Sequence, residues 1–211
     1  MRSKFEKNKW GVIAGVLFIV LALPGLVWPI AYSILNAGES EFSFSLVMET
    51  LFTVSSISRL LSIALGAALI ADRPKLAAAM CAGRFAFVDL ALLRDLTFFI
   101  HEIYPKYLIV IEVIPPVQNL LLLLALIMLG ERGKRLCLAA AGMEVLLNVL
   151  VALRNRFYVS WDNSLSNLLV IAAFAAAAFY VAGRARKEEP AAEATPASEA
   201  APDEEEETEA D

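Results

Sequence analysis

The sequence is poor in the side chains on which metal sites and disulfide frameworks depend. Its 211 residues include one histidine, His101, and two cysteines, Cys81 and Cys137. The two cysteines lack the spacing of metal ligands, and cysteines inside apolar segments are typical of small packing residues. We therefore expect no metal, no disulfide and no cofactor.

Motifs of the common enzyme classes are also missing. The chain has no H-E-x-x-H, no G-x-S-x-G and no glycine loop of the kind that binds phosphate. His101 beside Glu102 fits a polar pair at the edge of an apolar segment better than a catalytic unit. The sequence therefore favours a protein without enzymatic activity.

Charged residues are scarce in most of the chain, and the acids are concentrated at its end. Charged residues make up 19% of the chain and hydrophobic ones 59%. From Glu188 to Asp211 there are eleven acids and no base, which leaves 18 bases against 12 acids in residues 1–187. The formal net charge of −5 thus arises in the tail and does not indicate a nucleic-acid partner. The tail lacks aromatic and large aliphatic residues, which predicts disorder; it either solvates the protein or attracts a basic partner.

Long hydrophobic runs are what the sequence does contain. A helix needs roughly 20 apolar residues to cross a hydrocarbon core about 30 Å thick. Six segments are candidates, and the third carries enough charge that a partly exposed or re-entrant segment is its alternative. The candidate spans are residues 10–34, 47–71, 76–100, 107–129, 136–153 and 165–183.

These segments predict an all-α fold, a polytopic bundle of six transmembrane helices in a lipid bilayer. The bundle occupies residues 10–183, after a basic N-terminus at 1–9 and before a basic flank and acidic tail at 184–211. With six spans, the N-terminus, both basic turns and the C-terminal flank lie on one side. That side holds twelve lysines and arginines against three on the other. The positive-inside rule then predicts cytoplasmic N- and C-termini in a bacterial-type plasma membrane.

An internal repeat is a further hypothesis. Shifted by 59 residues, the hairpin at 47–100 aligns with the one at 107–156, so that Asp89 meets Asn148 and Arg59 meets Gln118. Both hairpins would run in the same direction, as in the parallel repeats of some transporters. The alternative is a chance similarity between leucine-rich helices joined by basic turns.

Polar side chains recur within the predicted spans at similar depth. An ionisable group in hydrocarbon costs about 2.5–3.5 kcal/mol on insertion scales, so such groups usually face the protein interior. Counting from the basic turns at about 1.5 Å per residue places six of them in a middle to outer layer. The candidate ligand-binding residues are Arg59, Arg84, Asp89, Gln118, Glu144 and Asn148.

Two main functions fit this layer, besides a proton- or cation-coupled site centred on Glu144 or Asp89. In the first, the layer surrounds a cavity that binds or transports a small polar or anionic solute, in this chain alone or as the membrane subunit of a transporter. In the second, the same side chains pair with one another in a non-catalytic scaffold whose tail recruits partners. A membrane-protein partner or a homo-oligomer is compatible with both. A cavity lined by Arg59, Arg84 and Glu144 would favour the first, and direct pairing without a void would favour the second.

Overall fold

The helices of this protein follow the hydrophobic runs of its sequence. A computed structural model describes residues 8–36, 53–91, 93, 106–154 and 161–193. All regular structure within these residues is helical. The helices are α1 (Lys9–Asn36), α2 (Val54–Ile70), α3 (Pro74–Arg84), α4 (Lys106–Met128), α5 (Gly130–Arg154) and α6 (Trp161–Glu193), and a π-helical segment at Phe85–Asp89 continues α3 directly.

Four stretches of these helices are long and apolar enough to cross a membrane. They are Lys9–Pro29 in α1, Ile109–Met128 in α4, Gly130–Arg154 in α5 and Ser164–Ala185 in α6. In α2, Ser55–Ile70 forms a shorter apolar helix. The predicted all-helical membrane protein is therefore confirmed at this level, and the acidic segment 194–211 lies outside the described residues.

Three helix boundaries differ from those expected from the sequence. The basic turn expected at 131–135 is the start of α5, because the chain reverses at Leu129 (φ 45°) and Gly130 (φ 67°) instead. At its start, α6 takes in residues 161–164 of the predicted loop before span 6. At its other end, α6 continues through Glu188 to Glu193, into the segment predicted to be disordered. Alanine and glutamate, which form most of this extension, are good helix formers, and the helix continues through Pro190.

The helices form a ring in the order of the sequence. Each helix packs against the next one along the chain, and α6 packs against α1 to close the ring. The closing contact includes stacked rings of Trp10 and Phe179, 4.7 Å apart, and an edge-to-face pair of Phe18 and Phe174. The ring leaves room for an interior that all the helices share.

Small residues allow the helices to approach closely. At the α1–α2 crossing, a Cβ on Gly15 would lie 2.3 Å from the carbonyl oxygen of Gly66, so the two backbones touch. Such contacts are typical of helices that associate in lipid. Buried alanines continue this packing around the ring: Ala14, Ala68, Ala77, Ala125, Ala140, Ala173 and Ala177.

The end of the ring that carries the basic turns is held by polar contacts. Asn8 Nδ2 donates to the carbonyl oxygens of Leu69 (2.9 Å) and Ile70 (3.2 Å), which caps the C-terminus of α2. Arg184 at the end of α6 forms an ion pair with Asp72 in the α2–α3 turn, with 3.1 Å between Nη1 and Oδ2. These contacts join α1, α2 and α6 at one end of the ring.

Candidate functional site

A cavity of about 590 Å³ lies inside the ring. This volume is within the range of about 300–1,000 Å³ typical of small-molecule sites. All the helices contribute to its wall. The lining side chains are Phe18, Leu21, Ala22, Ser55, Ser58, Arg59, Ser62, Arg84, Val88, Pro115, Gln118, Asn119, Leu122, Glu144, Leu147, Val170 and Phe174.

The α2 wall is a polar stripe. Ser55, Ser58, Arg59 and Ser62 recur at helical spacing and all line the cavity. The helix begins at Val54 with a cap in which the Thr53 hydroxyl oxygen accepts from the Ser56 amide. The spacing of these residues places three hydroxyls and one guanidinium on the face of α2 that lines the cavity.

Arg59 occupies space that a glycine leaves open. A Cβ on Gly25 of α1 would lie 2.6 Å from Arg59 Nε and 2.9 Å from its Cζ. No carboxylate of the described residues lies within ion-pair distance of Arg59. The guanidinium is thus placed at the cavity wall by a gap in α1, with its charge uncompensated by any described acid.

Arg84 at the end of α3 adds a second cation to the same side of the cavity. Its Nη1 donates to the Ser62 hydroxyl on α2 at 3.2 Å. Its buried Nε has no hydrogen-bond acceptor among the described residues. No ion pair joins Arg84 to a described acid, but Arg84 interacts electrostatically with the buried Asp89. The guanidinium at the cavity wall can attract an anion.

The opposite wall carries one acid held by an amide. Gln118 Nε2 on α4 donates to Glu144 Oε2 on α5 at 2.9 Å and to the Ala140 carbonyl at 3.1 Å. Gln118 and Glu144 are both 5% exposed and both line the cavity. A buried carboxylate is costly unless it accepts hydrogen bonds, and Gln118 satisfies part of that requirement.

The π-helical segment determines where Asp89 lies. In an α-helix, a side chain five positions further along is rotated about the helix axis by about 140° relative to the first, so Asp89 would point well away from Arg84. The wider π turn, whose hydrogen bonds join residues five apart, reduces that difference. Asp89 is 2% exposed and accepts from Asn119 Nδ2 at 2.7 Å, while the same nitrogen donates to the Cys81 carbonyl at 3.2 Å. Asp89 therefore lies behind Asn119, which lines the cavity.

The sixth predicted residue lies elsewhere. Asn148 Nδ2 donates to the Glu144 carbonyl at 2.8 Å, and its Oδ1 accepts from Asn167 on α6. It is not among the residues of the cavity wall. Asn148 thus links α5 to α6, a structural contact next to the site.

Of the six predicted residues, Arg59, Arg84, Gln118 and Glu144 line one cavity, and Asp89 and Asn148 do not. Sequence reasoning missed Asn119 as a wall residue and the aromatic pair of Phe18 and Phe174. Asn119 directly follows Gln118, so its position in an apolar helix was an available signal. The aromatic residues carried no such signal, because phenylalanine is equally common on lipid-facing surfaces.

The charges of the wall do not neutralise one another directly. Arg59 and Arg84 face the cavity together with Glu144, and no ion pair joins them among the described residues. Helix counting at about 1.5 Å per residue places all three roughly 15–21 Å from the basic end of the ring, near mid-membrane. A water-filled or solute-filled space between them would lower the cost of keeping these charges within the bilayer.

Metal chemistry finds no support in this part of the structure. Within the described residues, no three histidine, cysteine, aspartate or glutamate side chains lie close enough to hold an ion. Cys81 and Cys137 are buried and belong to the packed core, away from the cavity wall. His101, with its neighbour Glu102, lies outside the described residues.

Comparison of the chain with protein-family models, with curated proteins and with solved structures found no match. The cavity is therefore interpreted from its own residues.

Proposed function

We propose that this protein spans the membrane six times, with both termini in the cytoplasm, and binds a small anionic or polar solute in its central cavity. It acts in the transport of that solute, alone or as the membrane subunit of a transporter. The observation that supports the proposal best is that Arg59 and Arg84 line one partly open cavity and form no ion pair with a described acid. Direct pairing with Glu144 would have favoured a closed structural network.

The proposed orientation of the solute in the cavity follows from the charges of the wall. An anionic group of the solute would lie between Arg59 of α2 and Arg84 of α3. The hydrogen bond from Arg84 to Ser62 would orient the guanidinium of Arg84 towards that group. Guanidinium groups bind carboxylate and phosphate through paired hydrogen bonds, which are stronger than those between neutral groups. The apolar part of the solute would contact Phe18, Phe174 and the leucines of the wall.

The alternative, a non-catalytic scaffold, is supported by the pairs Gln118–Glu144 and Asn119–Asp89. These pairs show that part of the polar layer is satisfied internally. They leave Arg59 unexplained, since a purely structural arginine would be expected to meet a carboxylate or a backbone carbonyl. The scaffold is therefore the second candidate.

Thermal unfolding of the purified full-length chain in detergent tests the binding proposal. The probes are C4 to C8 alkanoates and short alkyl phosphates, each added at millimolar concentration. At least one is expected to raise the melting temperature, as any ligand that binds only the folded state does. Arg84→Ala should remove this stabilisation, whereas the matched variant Arg73→Ala, at an exposed arginine in the basic turn, should keep it.

A second pair of variants tests the position of Arg59 without removing its charge. Gly25→Ala adds a Cβ where the guanidinium now lies and should weaken binding roughly tenfold, the equivalent of one charge-assisted hydrogen bond. Gly142→Ala, at a glycine whose Cβ would meet nothing within 4 Å, is the control. Stabilisation by no anion, or equal stabilisation of the Arg84→Ala variant, would contradict the proposed function.

A further inference from the structure

The charges of the cavity are divided between opposite walls. In a ring closed in sequence order, α2 faces α5, because each is three helices from the other in both directions. Arg59 on α2 and Arg84 on the neighbouring α3 form the positive side. Glu144 on α5, held by Gln118 of α4, forms the negative side.

The ring geometry separates these two sides by several ångströms. Arg59 and Glu144 line the same cavity, and no ion pair joins them among the described residues, so more than 4.0 Å separates their charged atoms. A ligand that contacts both must therefore carry its two charges several atoms apart.

The rest of the cavity wall is largely apolar. Phe18 of α1 and Phe174 of α6 contact each other edge to face, and Leu122, Leu147 and Val170 line the same cavity. Methylene groups buried against these side chains would be stabilised by the hydrophobic effect. The wall thus suits a ligand with an apolar spacer as well as groups of opposite charge.

From this arrangement we propose that the solute is a zwitterion whose ammonium and carboxylate groups are separated by an apolar spacer, as in ω-amino acids and short peptides. The carboxylate contacts Arg59 and Arg84, and the ammonium donates to Glu144. This inference rests on the proposed function and adds a positively charged group to the anionic solute proposed there. Gln118 is the positioning residue that keeps the Glu144 carboxylate in place.

A matched series of probes separates this inference from simple anion binding. The zwitterions are 4-aminobutanoate, 6-aminohexanoate and 8-aminooctanoate, each compared with the alkanoate and the alkylamine of the same length. Binding to the full-length chain in detergent is measured by isothermal titration calorimetry. At one of the three lengths, the zwitterion should bind about tenfold tighter than its alkanoate, the gain of one charge-assisted hydrogen bond. The alkylamine should bind more weakly than either.

Glu144→Gln tests the residue assigned to the ammonium. This variant keeps the shape of the side chain and removes its charge, so the zwitterion should lose its advantage and bind about as tightly as the alkanoate. Glu112→Gln, at an exposed acid of α4, makes the same chemical change away from the cavity and should leave the preference intact. The melting temperature of each variant without ligand confirms that it is folded.

The outcomes distinguish the two proposals. If the alkanoates bind and the zwitterions bind no tighter, the zwitterion inference is overturned and the anion-binding function stands. If Glu144→Gln retains the preference for the zwitterion, the assignment of Glu144 is overturned. If none of the zwitterions or alkanoates binds, both proposals fail.

Discussion

At the scale of single residues, the buried carboxylate of Glu144 depends on a hydrogen bond from Gln118. Its Oε2 accepts from Gln118 Nε2, and both side chains are almost fully buried. A carboxylate buried to this extent is costly unless it accepts hydrogen bonds, and Gln118 donates one of them. The hydrogen bond therefore contributes to folding as well as to the charge of the site.

Replacing the amide should reveal this dependence. Gln118→Leu leaves the buried carboxylate without its donor and should lower the free energy of unfolding by about 1–3 kcal/mol. The double variant Gln118→Leu/Glu144→Leu removes both polar groups and should be more stable than Gln118→Leu alone. Reversible unfolding of the chain in mixed micelles measures both values. A double variant that is less stable than the single one would show that the pair does not interact as described.

At the scale of helices, the α1–α2 crossing positions the polar stripe of α2. Gly15 and Gly66 bring the two backbones into contact, and the phase of α2 at that contact points Ser62 and Arg59 into the ring. Gly25, further along α1, leaves the space that Arg59 fills. Two glycines of one helix thus determine where the neighbouring helix packs and where its arginine lies.

A methyl group at this crossing should separate the helices. Gly15→Ala places its Cβ 2.3 Å from the Gly66 carbonyl oxygen, which is backbone and cannot rotate away. We expect a loss of about 1–3 kcal/mol in unfolding free energy, the usual cost of overpacking. In Gly142→Ala, where the added carbon has open space, helix propensity alone should leave the protein equally or more stable. Equal effects of the two substitutions on unfolding in micelles would contradict this account of the crossing.

The sequence predicted the helices and most of the polar wall, and it failed where the backbone departs from regular geometry. Depth along a helix follows from residue counting, which placed Arg59, Arg84, Gln118 and Glu144 in one layer, and these four line one cavity. Their role in ligand binding stays a prediction. The direction of Asp89 was not predictable, because the π-helical segment changes the phase after Arg84 and has no simple sequence signature. The early start of α5 was missed because its charged first turns resemble a loop. The ring order of the helices depends on long-range packing and could not be derived from local pattern.

At the scale of the whole molecule, the two ends of the ring differ in charge. The N-terminus of α1, the α2–α3 turn and the α4–α5 turn lie at one end, next to residues 184 and 185 of α6. The Arg184–Asp72 and Asn8–Leu69 contacts and the proximity of Gly130 to Ala185 place them there. Lysines and arginines are concentrated there, which supports the proposal that this end is cytoplasmic. The 59-residue repeat stays a prediction.

Labelling of single cysteines with a charged, membrane-impermeant thiol reagent tests this orientation. The background carries Cys81→Ala and Cys137→Ala, so that only the introduced thiol can react. Arg73→Cys, in the exposed turn of the basic end, should react in permeabilised cells and remain unmodified in intact ones. Modification of Arg73→Cys in intact cells would place this end outside.

The same reagent, applied to permeabilised membranes, tests the central claim that a solute-accessible cavity lies inside the ring. Ser58→Cys places a thiol on the cavity wall, and Leu60→Cys, two residues away on the same helix, places one on the outer surface, where Leu60 is 44% exposed. If the account is correct, the charged reagent modifies Ser58→Cys, and lipid protects Leu60→Cys. An unreactive Ser58→Cys, or equal modification at both positions, would contradict it.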